Sequence, residues 1–333
     1  MSDAIVAISA SMGAHAHATA EPLAGTCPAC NSPDFESILR TGDRGESRTL
    51  IACGRCSLLR FLGGSTASRA ATYQDALHYS AAGRCLADRL FRFLRRVGLQ
   101  TKLRFVGSAL FRKGSDGVVL DCSGGDGSVA RALEREDARS LAVLRSCGEA
   151  IESLHRQGIH AVVADPADPP IRVPMFDVVC RLRGFAHDED PVMWLQSSRK
   201  LLRPGGRIVI QAFDSASWAF LITGSQWAAL EGTCARYAFR AVDLEVLLDF
   251  SGYRIRRRTH FFPLLNASVW VSSLFPSLDP QRRREKAENR PTETLTLALD
   301  LVYAALLAAA IPLALVESVC HAGSVLMVEA EPK

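Results

Sequence analysis

From Asp116 onward the chain alternates short apolar runs with polar, amphipathic segments, a pattern that restricts it to a parallel sheet flanked by helices, an α/β fold. Strands are expected near 117–122, 140–145, 159–164, 176–180 and 206–212. The first is the most informative. In Gly117-Val-Val-Leu-Asp121-Cys-Ser-Gly124-Gly125-Asp-Gly127-Ser-Val-Ala-Arg-Ala-Leu, an apolar strand ends in an acid and a glycine-rich turn, then opens directly into an amphipathic helix. Glycines at such a turn let the backbone approach a ligand closely, and the helix N-terminus offers it unpaired N–H groups. A glycine-rich turn alone is a weak motif; the strand before it and the helix after it give it weight.

The same segment resembles the first motif of the class I S-adenosylmethionine-dependent methyltransferases, Asp-x-Gly-x-Gly-x-Gly, and further stretches resemble that family in order. Ala161-Val-Val-Ala-Asp165 is similar to its third strand and following acid, and Phe176-Asp177-Val-Val to the entry of its fourth. His187-Asp-Glu-Asp190-Pro191 is similar to the loop beyond, and Leu201-Leu-Arg-Pro204-Gly205-Gly206-Arg-Ile-Val-Ile to the Pro-Gly-Gly turn and fifth strand. Phe239 through Gly252-Tyr253, with Leu244, Leu247 and Leu248, resembles the helix and turn before strand six, and Gly323-Ser-Val-Leu-Met-Val-Glu-Ala the final strand. The resemblance implies a Rossmann-like sheet of seven strands, the last antiparallel, with S-adenosylmethionine as methyl donor. It places Asp121, Ser123, Gly125 and Gly127 at the cofactor turn and Asp165 toward the adenine amino group.

Four positions depart from the family pattern. Ser123 stands for the first glycine of the turn. Arg145 ends the second strand where the family has an acid for the ribose hydroxyls; a guanidinium cannot accept those bonds, and Glu149 is the substitute within reach. Ala186 replaces a glutamate often found before the loop histidine, and Ala235 a histidine ahead of Tyr237-Ala-Phe239. One reading is a methyltransferase with altered cofactor binding. Another is a catalytically silent binding or scaffold protein on the same fold. A lesser third, NADP binding, rests on Arg145 as a reader of the 2′-phosphate, against a turn that lacks the Gly-x-Gly-x-x-Gly spacing.

Methyl transfer is an in-line displacement, so an enzyme has mainly to align its reactants and keep them dry. An acceptor hydroxyl or activated carbon gains from a base near the carboxyl ends of strands four and five. His187, with Asp214 behind it, is the catalytic candidate; a histidine that caps a helix or faces solvent is the alternative. The acceptor is expected to be a small or carrier-bound metabolite, methylated on oxygen or carbon, and no acceptor motif names it.

Ahead of the sheet, Cys27-Pro-Ala-Cys30 and Cys53-Gly-Arg-Cys56 form two Cys-x-x-Cys knuckles with 22 residues between them. In a reduced compartment such thiolates bind zinc, and a hairpin through Asp34, Gly42, Asp43 and Gly45 brings the second pair to the first. Four thiolates leave no open coordination position. The metal is therefore structural, standing in for the core that so short a module cannot build. Relatives with an N-terminal zinc ribbon and a Tyr-rich connector are similar to this arrangement, including Tyr73-Gln-Asp-Ala-Leu-His78-Tyr79. The other six cysteines, Cys85, Cys122, Cys147, Cys180, Cys234 and Cys320, are read as small apolar residues in packed positions.

The 333 residues divide into a loose tail (1–26), the zinc ribbon (27–60), a basic helical connector (61–115) and the α/β domain (116–333), with an insert at about 263–320 before the last strand. The tail has no basic signal-peptide start, which points to the cytoplasm. A net charge of +4 is too mild for a specific nucleic-acid partner. Its positive charge gathers in the connector, where residues 84–113 form a basic amphipathic helix, and at Arg282-Arg-Arg-Glu-Lys286, read as an exposed loop. Leu295–Val316 is apolar enough to raise a membrane question, although Asp300 and Pro312 interrupt it. A spanning helix there would set strands six and seven on opposite sides of a bilayer. It is therefore read as a buried or interfacial helix, a lid or dimer surface with Phe261, Phe262, Leu264 and Trp270. Segments 84–113 and 295–316 are the two candidates for peripheral membrane contact.

Overall fold

The structure, a computed structural model, describes residues 26–43, 46–62, 86–110, 117–123, 128–134, 139–144, 154–156, 158–188, 190–229, 235–285 and 293–333. Its largest element is a seven-stranded sheet. The strands β4 (Val118–Asp121), β5 (Arg139–Leu144), β6 (His160–Val163), β7 (Phe176–Arg181), β8 (Leu202–Phe213), β10 (Tyr253–Thr259) and β11 (Val325–Pro332) lie in the order β10-β11-β8-β7-β4-β5-β6. Neighbours from β6 to β8 are parallel, and β11 runs antiparallel to both β8 and β10. This is the Rossmann-like order, with the last strand reversed, that the sequence resemblance implies. The strands are apolar runs because helices cover both faces of the parallel part: in β7 only Asp177 is not fully buried.

β8 begins at Leu202, earlier than its apolar run, because Pro204-Gly205-Gly206 continues the strand through a residue at φ 74. A Cβ on Gly206 would lie 2.9 Å from the carbonyl of Arg203 and 3.1 Å from that of Phe176, so only glycine lets β8 pass the start of β7 at this distance. Helix α1 (Leu86–Leu110) packs Leu103, Val106 and Leu110 on one face of the sheet against Val119, Val178 and Val209. Helix α2 (Ser128–Glu134) follows the glycine-rich segment of the sequence. Helix α3 (Pro191–Leu201) is started by Asp190, whose carboxylate accepts the N–H groups of Val192 and Met193, with Pro191 in the first turn. Helices α4 (Trp218–Thr223) and α5 (Ala241–Phe250) lie between β8 and β10.

The N-terminal module is a meander of β1 (Phe35–Asp43), β2 (Glu46–Cys53) and β3 (Leu59–Leu62). A short strand from far along the chain, β9 (Tyr237–Ala238), pairs with β3 and completes a four-stranded sheet. Between β10 and β11 the described residues form helices α6 (Pro263–Leu274), α7 (Pro280–Glu285) and α8 (Glu293–Val319).

Some expectations change here. Arg282–Glu285 belongs to a helix rather than an exposed loop, because Arg283 pairs with the buried Asp300 of α8. Helix α8 runs unbroken through Asp300 and Pro312. Cys122 and Cys180 are buried, but Cys320 is exposed just past α8 rather than packed. The tail through residue 25, Tyr73 to Tyr79, and Cys85, Cys147 and Cys234 lie outside the described residues.

Candidate functional site

In open α/β sheets, ligands sit beyond the carboxyl ends of the strands, where successive connections leave toward opposite faces. Here that point is the end of β4. Asp121 is 1% exposed there, and its Oδ1 accepts the N–H of Ser123 at 2.9 Å. Burial pushes its carboxyl up from the usual range, opposed by the Ser123 hydrogen bonds and the nearby charge of Arg183. The hydroxyl of Ser123 accepts the buried N–H of Leu182 at 2.9 Å, and the N–H of Cys122 donates to the carbonyl of Cys180 at 2.8 Å. The serine that departs from the family glycine is thus a tie between β4 and β7. Gly125 and Gly127 lie outside the described residues, as do Arg145 and Glu149; the chain is described again from Ser128, where α2 opens. Asp165 follows β6 at the same edge, exposed, with its Oδ1 accepting the N–H of Ala167 at 2.9 Å.

Beyond β7 the backbone turns at Gly184, φ 78, into a 3-10 turn, Phe185–His187. His187 is half-buried, and its N–H donates to the carbonyl of Gly184 at 2.9 Å. The segment from Ala235 to Phe239 lies along this turn: the N–H of Arg236 donates to the carbonyl of Ala186 at 2.7 Å, and Phe239 stands 5.3 Å from Phe185. Ala186 and Ala235, two departures far apart in sequence, therefore meet at one place.

Two arginines at the end of β7 escaped the sequence reading. Arg181, 3% exposed, pairs with the buried Asp188, donates Nη1 to the carbonyl of Cys122 at 3.1 Å, and lies 5.7 Å from the ring of Trp194. Arg183, 8% exposed, lies near enough to Asp121 for its charge to bear on that carboxyl. The signal was there: two arginines within Cys180-Arg-Leu-Arg-Gly184, at the end of a largely apolar strand, need partners that only the fold supplies.

Asp214 also has a partner that the sequence did not reveal. It follows β8 directly in a buried position, where Oδ1 accepts the N–H of Ala216 at 2.8 Å and Oδ2 lies 2.9 Å from Nε2 of His260, just past β10. A carboxylate only accepts, so that nitrogen carries the proton.

The four knuckle cysteines converge. Their sulfurs all lie within 4.8 Å of one another, with Cys27 to Cys56 and Cys30 to Cys53 both at 3.5 Å. A tetrahedral zinc with Zn–S bonds of about 2.3 Å spaces its sulfurs roughly 3.8 Å apart, so the donor set fits that ion. Each knuckle closes in the same way: Asn31 donates to the carbonyl of Cys27 and Ser57 to that of Cys53, both at 2.8 Å and both from left-handed residues, φ 57 and 60. Burial pushes the thiols of Cys27 and Cys56 up; at Cys53 burial also pushes up, but hydrogen bonds from the backbone of Cys56 and Arg55 and from the Cys30 and Cys56 side chains together hold it at about 7.

Residues 89–257, just over half of the chain, match the family described as "Methyltransferase domain". No curated protein matches. Among solved structures, the chain is similar to a Thermotoga maritima S-adenosylmethionine-dependent methyltransferase described as a possible histamine N-methyltransferase, at 14% identity and a TM-score of 0.45, over 74% of this chain and 96% of that one. It is also similar to the Burkholderia thailandensis 1,6-didemethyltoxoflavin-N1-methyltransferase, at 16% identity and a TM-score of 0.41, over 67% and 90%. A third is the [4+2]-cyclase SpnF, at 14% and 0.44, over 65% and 75%. The chain belongs to the S-adenosylmethionine-dependent methyltransferase family and has its class I fold.

Proposed function

We propose that the chain transfers a methyl group from S-adenosylmethionine to an oxygen or carbon of a small or carrier-bound acceptor, at the carboxyl ends of β4 and β7. The observation that carries this reading is the tie from Asp121 through Ser123 to Leu182, which joins the ends of β4 and β7 at the switch point of a methyltransferase sheet. The residues that would hold the cofactor are Asp121, Ser123, Gly125 and Gly127 at the turn, Glu149 beyond β5 and Asp165 beyond β6. When bound, S-adenosylmethionine supplies an electrophilic methyl group on a sulfonium and leaves as a neutral thioether.

The chain's own residues then align and dry the reactants. Phe185, Trp194 and Phe239, all fully buried, exclude water beneath the loop that bears His187. His187 takes the acceptor proton as the new bond forms. Asp214 is a positioning residue that orients His260 rather than His187. Cys27, Cys30, Cys53 and Cys56 would hold one structural zinc, and four reduced thiolates accord with a cytoplasmic protein.

Radiolabelled S-adenosylmethionine incubated with the protein and a cell metabolite extract tests this reading. Label transferred to a small or carrier-bound fraction, and lost with His187→Gln, is the expected result. Transfer undiminished by that substitution removes His187 from the chemistry.

A further inference from the structure

We propose that the outward face of α8 and the basic helix α1 form one docking surface for an anionic lipid bilayer, on which the protein lies without spanning it. From Leu295 onward helix α8 turns its ionised groups inward. Asp300 pairs with Arg283, and Glu317, fully buried, accepts the indole N–H of Trp270 at 2.9 Å. Its other polar groups are engaged within the fold as well: the Tyr303 hydroxyl lies 3.0 Å from that of Ser272, and the Ser318 hydroxyl donates to the carbonyl of Ala314. What remains outside is apolar. Every exposed residue from Leu295 to Val319 is a hydrocarbon side chain, among them Leu301, Val302, Leu313, Val316 and Val319, and only 22% of the apolar stretch is buried. At 1.5 Å per residue this face is about 37 Å long, more than a solvated helix ordinarily leaves bare. Helix α4, whose Ala219 N–H reaches Glu317, carries exposed Leu221 and Ile222 beside the C-terminal part of that face.

Topology sets the helix on a membrane rather than through it. The strands that α8 helps to connect, β10 and β11, are paired neighbours, with Thr259 opposite Met327. Helix α6 also packs antiparallel along α8, its Asn266 meeting Ser318 and its Ser272 meeting Tyr303. Both ends of α8 thus return to one protein body.

Charge selects the partner. Helix α1 packs against α6 and α8, and its sequence has six cations against one acid, Asp88; of the described side chains Arg96 and Arg104 are exposed. Helix α7, joined to α8 through the Arg283–Asp300 pair, adds the partly exposed Arg282. A hydrocarbon face flanked by cations matches an anionic headgroup layer over acyl chains. A second copy of the chain fits less well. Protein interfaces carry about one hydrogen bond per 100–200 Å², which this face has no groups to make. Self-association would also bring two sets of arginines together.

The test is sedimentation of the full chain with phosphatidylcholine vesicles and with mixed phosphatidylcholine–phosphatidylglycerol vesicles. The wild type is expected to sediment with the mixed vesicles, weakly with phosphatidylcholine alone, and less as salt is added. Arg96→Gln/Arg104→Gln should weaken binding to mixed vesicles about 30-fold, and Leu313→Gln/Val316→Gln more than that. Should the latter pair misfold, Leu301→Gln/Val302→Gln on the same exposed face takes its place. Protein left in the supernatant with both vesicle types overturns the proposal. So does a dimer in analytical ultracentrifugation without lipid that Leu313→Gln/Val316→Gln converts to monomer.

Discussion

Arg236 donates its N–H to the carbonyl of Ala186 at 2.7 Å and accepts the N–H of Phe61 on its own carbonyl at 2.8 Å. One residue therefore joins the meander that carries the cysteine knuckles to the loop that carries His187. The side chain of Arg240 adds a second link, donating to the carbonyl of Ser57 beside the Cys53 knuckle at 2.9 Å. The cysteine module is not a free appendage: Cys27, Cys53 and Leu58 share an apolar cluster with Phe185, Tyr237 and Phe239.

The loop should consequently feel the metal. Cys56→Ser is expected to lose zinc by elemental analysis and to raise amide hydrogen exchange across residues 184–188. Loss of metal without faster exchange there would separate the module from the loop.

At position 123 serine should outperform the family's glycine in this chain. Ser123→Gly removes the acceptor for the N–H of Leu182, a residue with no exposure, at a cost of roughly 1–3 kcal/mol in denaturant unfolding. A neutral or stabilising outcome would contradict the tie between β4 and β7.

His187 and Asp214 should separate in their effects. Asp214→Ala leaves His260 buried without its acceptor and should cost roughly 2–3 kcal/mol of stability. His187→Ala should leave the unfolding midpoint nearly unchanged and lower methyl transfer about 100-fold or more. The reverse pattern would reassign both residues.

Acid should reveal the pairing across the last two strands. Arg256 and Arg254 lie against Glu331 and hold its carboxyl down from 4.5 to about 2. A carboxyl depressed on folding contributes stability above its unfolded value and loses it as pH falls through the folded one. Glu331→Gln should therefore be less stable than the wild type at neutral pH, with the gap closing from pH 4.5 down to about 2. A gap independent of pH would mean that the carboxylate's charge contributes nothing.

The parallel strands and the cysteine site were legible because each rests on a local pattern. A strand buried on both faces, such as Phe176–Arg181, is an apolar run, and two Cys-x-x-Cys knuckles need only a hairpin between them. What could not be read depends on residues far apart in sequence. Nothing local in Tyr237-Ala238 tells that it pairs with Leu59-Arg60, nor does Asp214 announce His260. The glycine-to-serine change at 123 looked like a loss because its partner, Leu182, stands 59 residues away. Helix α8 was legible as an apolar helix, buried or interfacial; which of its sides the fold leaves bare was not.

Calorimetric titration of the purified protein with S-adenosylmethionine and S-adenosylhomocysteine tests the central claim most directly. The site predicts one equivalent of either ligand per chain, with Asp121→Asn weakening both. No heat from either at millimolar concentration, or tight binding of NADPH in their place, would contradict it.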